Sequence, residues 1–141
     1  MIGIDRFVDD YRSALDAFFR GDPEPAKRLY SHSDDVCLNN PFGPPARGWS
    51  QAAEAMERAA ANYRDGRAVG FDRVAEYLAD ELACIVEVEH YEAKVGGSGD
   101  ISTIVLRVTT VLRPEDGSWK IVHRHADPIT SARSASSVIE R

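Results

Sequence analysis

The chain has 141 residues, 43% apolar and 28% charged, long enough for one core that buries roughly two thirds of the unfolded surface and too apolar for a disordered chain. Seventeen Lys plus Arg against 23 Asp plus Glu leave a net charge of −6, so neither a nucleic acid nor an anionic membrane surface is expected as a partner. The longest aliphatic run, Leu82 to Val86, falls far short of the roughly 18 residues of a membrane span, and Met1 to Gly21 lacks the basic start and apolar block of an export signal.

Phe7, Val8, Tyr11, Leu15, Phe18 and Phe19 recur at helical spacing until Gly21, which predicts an amphipathic first helix. Asp22-Pro23 opens a short second helix through Ala26 and Leu29 toward Tyr30. Val36-Cys37-Leu38 follows as a brief strand, and Asn39 to Pro45 as a stiff loop. Ser50 is placed to cap a third helix with Ala53, Met56, Ala60 and Tyr63 on one stripe and Gly66 beyond its end. From Val69 the period becomes two, giving strands at about 69–79, 82–95, 101–113 and 119–127. The short turns between them make neighbours antiparallel and predict an α+β fold with helices on one side of a curved sheet. One domain is expected over residues 1–128, with 129–141 a frayed tail. Cys37 and Cys84 have unrelated contexts, so free thiols and a cytoplasmic location are expected.

Pairing Val95 with Ile101 across the glycine-rich loop sets Glu89 beside Arg107, Glu87 beside Thr109 and Tyr91 beside Val105 on one face. The opposite face then holds Cys84, Val86, Val88 and His90 next to Leu106, Val108, Thr110 and Leu112, almost wholly apolar. If helices cover that apolar face, the charged face is solvated exterior. If a second subunit covers it, the helices roof a chamber walled by Glu89 and Arg107. On the last strand Trp119, Ile121, His123, His125 and Asp127 share one side and Val122, Arg124 and Ala126 the other. A three-residue turn over Glu115-Asp116-Gly117 pairs Arg107 with His125, whereas a two-residue Asp116-Gly117 turn moves the histidines to the apolar side. The sequence permits both. His-x-His with His90 or Asp127 offers zinc ligands, but no Cys or His cluster completes the set, so no metal is expected. There is no glycine-rich phosphate loop and no Gly-x-Ser-x-Gly elbow.

The segments Phe18-Phe19-Arg20-Gly21-Asp22, Asn40-Pro41-Phe42-Gly43 with Gly48-Trp49, Leu106-Arg107-Val108-Thr109, and Gly117 through His125 together resemble the nuclear transport factor 2-like superfamily, in its SnoaL-like or ketosteroid-isomerase-like branch. The resemblance runs from Phe7 to Asp127 and implies a cone-shaped, cystatin-like α+β barrel: a curved, mainly antiparallel sheet wrapped around about three N-terminal helices. Ala83-Cys84-Ile85 and the Trp-to-His run are also similar to the calcium/calmodulin-dependent kinase association domain, a non-catalytic member that assembles through its sheet. That similarity implies a homodimer through the apolar sheet face. Glu89 falls where that domain has a cavity arginine, and Ala126 replaces another, so a differently charged cavity is expected.

Enzymatic members of the superfamily move a proton in a pocket between helices and sheet and need no cofactor. The resemblance thus implies a cofactor-free isomerase, cyclase or dehydratase acting on a small, mostly apolar carbonyl compound, the alternative being a non-catalytic ligand-binding or homo-oligomerisation module. Glu89, Arg107, His125 and Asp127 are the candidate catalytic residues, for a base and a donor facing the developing negative charge. A carboxylate tied to arginine is a poorer base, which would pass the role to Glu87, His125 or Asp127. Asn39 and Asn40 stand where ketosteroid isomerase carries its carboxylate, which argues against steroid isomerisation. Tyr11, Phe18, Asn40, Phe42, Trp49, Glu87, Tyr91, Thr109, His123 and Arg124 are the candidate substrate-binding residues.

Overall fold

A computed structural model describes residues 3–140. Its elements run α1 (Asp5–Phe18), α2 (Glu24–Lys27), β1 (Cys37–Asn39), β2 (Ala46–Arg47), α3 (Trp49–Ala60), β3 (Tyr63–Leu78), β4 (Ala83–Val95), β5 (Ile101–Glu115) and β6 (Ser118–Asp127), followed by one exposed 3-10 turn, Ala135–Val138. The six strands form an open mixed sheet in the order β2-β1-β6-β5-β4-β3, with only β1 and β6 parallel. The meander expected from the period-two segments is thus present, extended by two short strands at the β6 edge. No described helix is long and apolar enough to cross a membrane, and both cysteines are free.

Helix α1 buries Phe7, Tyr11, Ala14 and Leu15 on its sheet-facing stripe and ends at Phe18, and the chain then turns away through Gly21, whose φ of 98° few other residues adopt. Asp22 accepts the Glu24 N–H at 3.1 Å just ahead of α2, but Pro23 rather than Asp22 takes the cap position, and the helix ends at Lys27, before Leu29. Helix α3 begins at Trp49 rather than after Ser50, because Gly48, at φ 82°, takes the cap position and its N–H bonds Val36 O at 2.8 Å. Gly66 does not lie in a turn after this helix. It sits inside β3, where a Cβ would come within 2.4 Å of Phe19 O. The missing side chain lets the end of α1 rest on the sheet, so the strand starts at Tyr63, earlier than alternation from Val69 suggests.

Two registers differ from expectation, and both decide the site. Across the β4–β5 hairpin Lys94, not Val95, faces Ile101. This one-residue change turns β5 over, placing Glu89 opposite Leu106 and Arg107 opposite Val88. The expected Glu89–Arg107 pair is therefore absent, and Leu106, Val108, Thr110 and Leu112 join Ile85, Glu87, Glu89 and Tyr91 on the buried inner face under the helices. Burying Leu106, Val108 and Leu112 is worth about 1.5–3 kcal/mol each, whereas an exposed ion pair returns about 0–1 kcal/mol. The apolar residues win the register.

Between β5 and β6 the turn is the two-residue Asp116-Gly117 form, both residues at positive φ (52° and 80°), with Glu115 opposite Ser118. A bulge then leaves Val122 unpaired between the Leu112–Ile121 and Val111–His123 pairs. Trp119, Ile121, Arg124 and Ala126 end on the inner face, while His123, His125 and Asp127 lie outside opposite Val111, Thr109 and Arg107. Neither simple register describes this strand, because the bulge breaks its alternation once.

Candidate functional site

The buried inner face carries a polar network assembled from three elements. Glu89 of β4 is fully buried. Its carboxylate accepts the Tyr11 hydroxyl of α1 at 2.7 Å, the Tyr91 hydroxyl at 2.5 Å and Arg124 Nη2 of β6 at 2.9 Å. Arg124 Nε also donates to the Tyr11 oxygen at 3.0 Å. A lone buried carboxylate would be strongly unfavourable. Here its charge is matched by one guanidinium and its lone pairs are filled by three donors. Burial pushes the Tyr11 and Tyr91 hydroxyls well above their ordinary range, with Arg124 opposing and Glu89 adding to the shift. Burial alone would lower Arg124, but the surrounding Tyr11 and Glu89 oxygens hold it well above the usual arginine value. The network is thus a neutral, fixed ion pair flanked by protonated tyrosines.

A narrow cleft opens above this network between α1, α3 and the sheet, and Tyr11 and Arg124 belong to its lining. Its aromatic wall is continuous: Phe19 stacks on Tyr91 at 3.9 Å and meets Tyr63 at 4.4 Å, and Phe18 and Phe42 lie against Tyr63 at 6.2 and 5.8 Å. Burial, partly offset by Arg124, pushes Tyr63 up to about 12, and burial likewise takes Tyr30 to about 12. Asn40, Pro41 and the half-exposed Phe42 form the mouth. The side chains almost fill the space, leaving about 40 Å³, room for a few waters at most. A ring-sized ligand would therefore enter only with a shift of lining side chains.

Of the sequence-derived candidates, the structure brings Tyr11, Phe18, Asn40, Phe42 and Arg124 to the cleft, with Glu89 and Tyr91 bonded beneath it. The rest lie elsewhere. Glu87 is buried in a separate cluster, accepting Arg73 Nε at 2.9 Å with Arg12 at 3.5 Å. Trp49 stacks on His32 at 3.9 Å, away from the cleft. Arg107, Thr109, His123, His125 and Asp127 share the outer sheet face. There Arg107 grips Asp127 with two bonds of 3.0 and 2.8 Å, and Asp127 meets His125 Nε2 at 2.9 Å. Burial raises the Asp127 carboxyl, but Arg107, the Ile129 N–H and His125 outweigh it and bring it down to about 2. His123 Nδ1 lies 2.9 Å from the Cys37 carbonyl and holds β1 to β6. Among the described residues no three His, Cys, Asp or Glu side chains converge as metal ligands.

Besides apolar lining, two hydroxyl-bearing cleft residues are not among the sequence-derived candidates. Tyr63 reads in the sequence as part of a helical stripe but begins β3, and Tyr30 lies three residues beyond α2, outside any periodic pattern. Arg124 was recognised, but not as the partner of Glu89. A possible signal was its isolation among Ile121, Ala126 and Trp119, a lone cation on an otherwise apolar face that must find an anion.

Chemically, the cleft offers hydrogen-bond donors at the base of an apolar slot. Arg124 spends Nε and Nη2 on protein partners, leaving the Nη1 protons uncommitted among the described bonds. Neither a carboxylate nor an imidazole is part of the described lining.

An open mixed sheet with helices over its concave inner face and a polar-floored cleft between them defines the cone-shaped α+β class. The SnoaL-like domain family matches residues 9–130, and the chain belongs to it. No curated protein matched the sequence. Among solved structures, the chain is similar to a nuclear transport factor 2-like superfamily protein from Salmonella enterica serovar Typhimurium (21% identity, 97% of this chain and 94% of that one, TM-score 0.75). It is similar also to a ketosteroid isomerase-like protein from Erwinia carotovora atroseptica (19% identity, 91% and 95% covered, TM-score 0.72). A third likeness is to a candidate calcium/calmodulin-dependent protein kinase II association domain from Xanthomonas campestris (21% identity, 92% and 87% covered, TM-score 0.72). At these identities the likeness establishes the fold.

Proposed function

We propose that this SnoaL-like domain binds a small, mostly apolar carbonyl compound whose oxygen accepts a hydrogen bond from Arg124. The observation that carries the reading is the Arg124–Glu89 pair at the base of an aromatic cleft. The pair is neutral overall, which favours a carbonyl or phenol oxygen over a free carboxylate, while Nη1 remains a strong donor in a poorly solvated place. Titration calorimetry with 4-hydroxyacetophenone tests it. The wild type should bind, and Arg124→Met combined with Glu89→Gln, which removes both charges together, should weaken binding at least about tenfold, the yield of one charge-assisted bond. Equal binding by the folded double variant would refute the reading.

The same contacts supply one route to catalysis. The cleft hydroxyl of Tyr11 is 2.7 Å from Glu89, so a proton taken from a ligand could pass through Tyr11 to the carboxylate, with Arg124 holding the developing oxyanion. Glu89→Gln would abolish turnover in this case while leaving ligand affinity within about twofold, and unchanged turnover would exclude the route.

We also infer a homodimer, in which a second copy covers the outer sheet face, where Cys84, Val86, Val88, Val105 and Val111 are half-buried between the Arg107–Asp127 and His90–Asp72 pairs. The two free thiols suit a reducing compartment such as the cytoplasm.

A further inference from the structure

A second concavity of about 580 Å³ lies immediately outside the cleft and shares Asn40, Phe42 and Ala59 with it. Its character is different. One side is the Pro44-Pro45 loop and the other is the outward face of α3, where Gln51, Glu54 and Arg58 stand with Asn62 at the helix end. The bonds already made there leave a mixed set of groups. Gln51 Oε1 accepts the Arg47 N–H at 3.2 Å, which leaves its amide protons, and Asn62 donates to Arg58 O at 2.9 Å, which leaves its carbonyl oxygen. Glu54 and Arg58 neutralise each other at 3.8 Å. At the neck between the two spaces, Asn40 anchors Phe42 N–H through Oδ1 at 2.9 Å, while its Nδ2 makes only a long 3.5 Å contact to Ala55 O.

Interleaved donors and acceptors with no net charge match a group whose every polar atom both donates and accepts, which is the chemistry of hydroxyls. A phosphate or carboxylate would gain Arg58 and meet Glu54. The loosely held Asn40 amide protons stand where a linking ether or ester oxygen would pass. From these three features we infer that the ligand of the cleft is bipartite: an apolar ring in the cleft, a linking oxygen at Asn40, and a hydroxyl-rich extension of glycosyl type lying along α3. The inference rests on the cleft reading above and adds the class of its second half.

Matched ligands separate the two. Calorimetry on the full chain compares 4-hydroxyacetophenone with its O-β-D-glucoside, each against the wild type and against Gln51→Ala/Arg58→Ala, whose substituted side chains are both exposed. The glucoside should bind the wild type about tenfold tighter than the aglycone, the return of one or two net hydrogen bonds. The double variant should bring the glucoside within about twofold of the aglycone while the aglycone's own affinity is unchanged. Equal or weaker binding of the glucoside beside a bound aglycone overturns the extension and leaves the cleft reading standing. A glucoside advantage that survives the double variant overturns the placement along α3. Failure of both ligands to bind overturns both.

Discussion

Replacing Arg124 by Met keeps the side chain's length and removes its charge, so it isolates what the guanidinium does for the buried carboxylate. Glu89 would lose the 2.9 Å bond from Nη2 and its only counter-charge among the described residues while remaining wholly shielded from water. Two tyrosine donors remain, but they cannot neutralise it. Breaking a buried pair in this way costs about 3–5 kcal/mol. With a urea slope of about 2 kcal/mol per molar for a chain of this size, the unfolding midpoint should fall by about 2 M, and the Tm by about 10 °C. Adding Glu89→Gln removes the stranded charge and should recover roughly half of the loss, giving a large favourable coupling in a double-mutant cycle. Urea titration followed by tryptophan fluorescence reads all four proteins. If Arg124→Met alone costs less than about 1 kcal/mol, or if the double variant loses the sum of the single losses, the two side chains do not form a coupled buried pair and the account of the cleft floor fails.

Three further outcomes follow from other parts of the molecule. Asp127 has a folded pKa of about 2 against roughly 3.9 unfolded, so its pairing stabilises the fold above about pH 4 and is lost as the pH falls through 2. The half-exposed Arg107 partner limits the effect to about 1–2 kcal/mol, and urea midpoints of wild type and Asp127→Asn should differ at pH 5 and converge near pH 2. Gly66→Ala, whose Cβ meets Phe19 O at 2.4 Å and Glu92 O at 2.8 Å, should cost about 2–3 kcal/mol, whereas Gly70→Ala, with open space around it, should change stability by less than about 0.5 kcal/mol. Sedimentation should show a dimeric wild type and a monomeric but folded Val88→Lys, and a wild-type monomer would remove the proposed sheet-face interface.

The architecture was legible because its carriers are local. The α1 stripe from Phe7 to Phe19, the Asp116-Gly117 turn and the alternation of β4 each speak for themselves within a few residues. The site was less legible because it depends on pairings between strands, where one residue of slip inverts a face. The loop from Gly96 to Asp100 does not reveal whether Val95 or Lys94 meets Ile101, and pairing Val95 there, which sets Glu89 beside Arg107, is one residue out of register. Weighing burial first would have corrected it, since Leu106, Val108 and Leu112 cannot all face water. The bulge at Val122 leaves no mark in the local sequence, yet it alone sends Arg124 inward to Glu89 and His123 and His125 outward.

Side-chain NMR of protein labelled with 15N-arginine puts the central claim to its most direct test. Titration with 4-hydroxyacetophenone should shift the Arg124 guanidinium signals saturably while those of Arg107, on the opposite face of the sheet, stay in place. Saturable binding that moves Arg107 and leaves Arg124 untouched would contradict the claim that the roofed inner cleft is the ligand site.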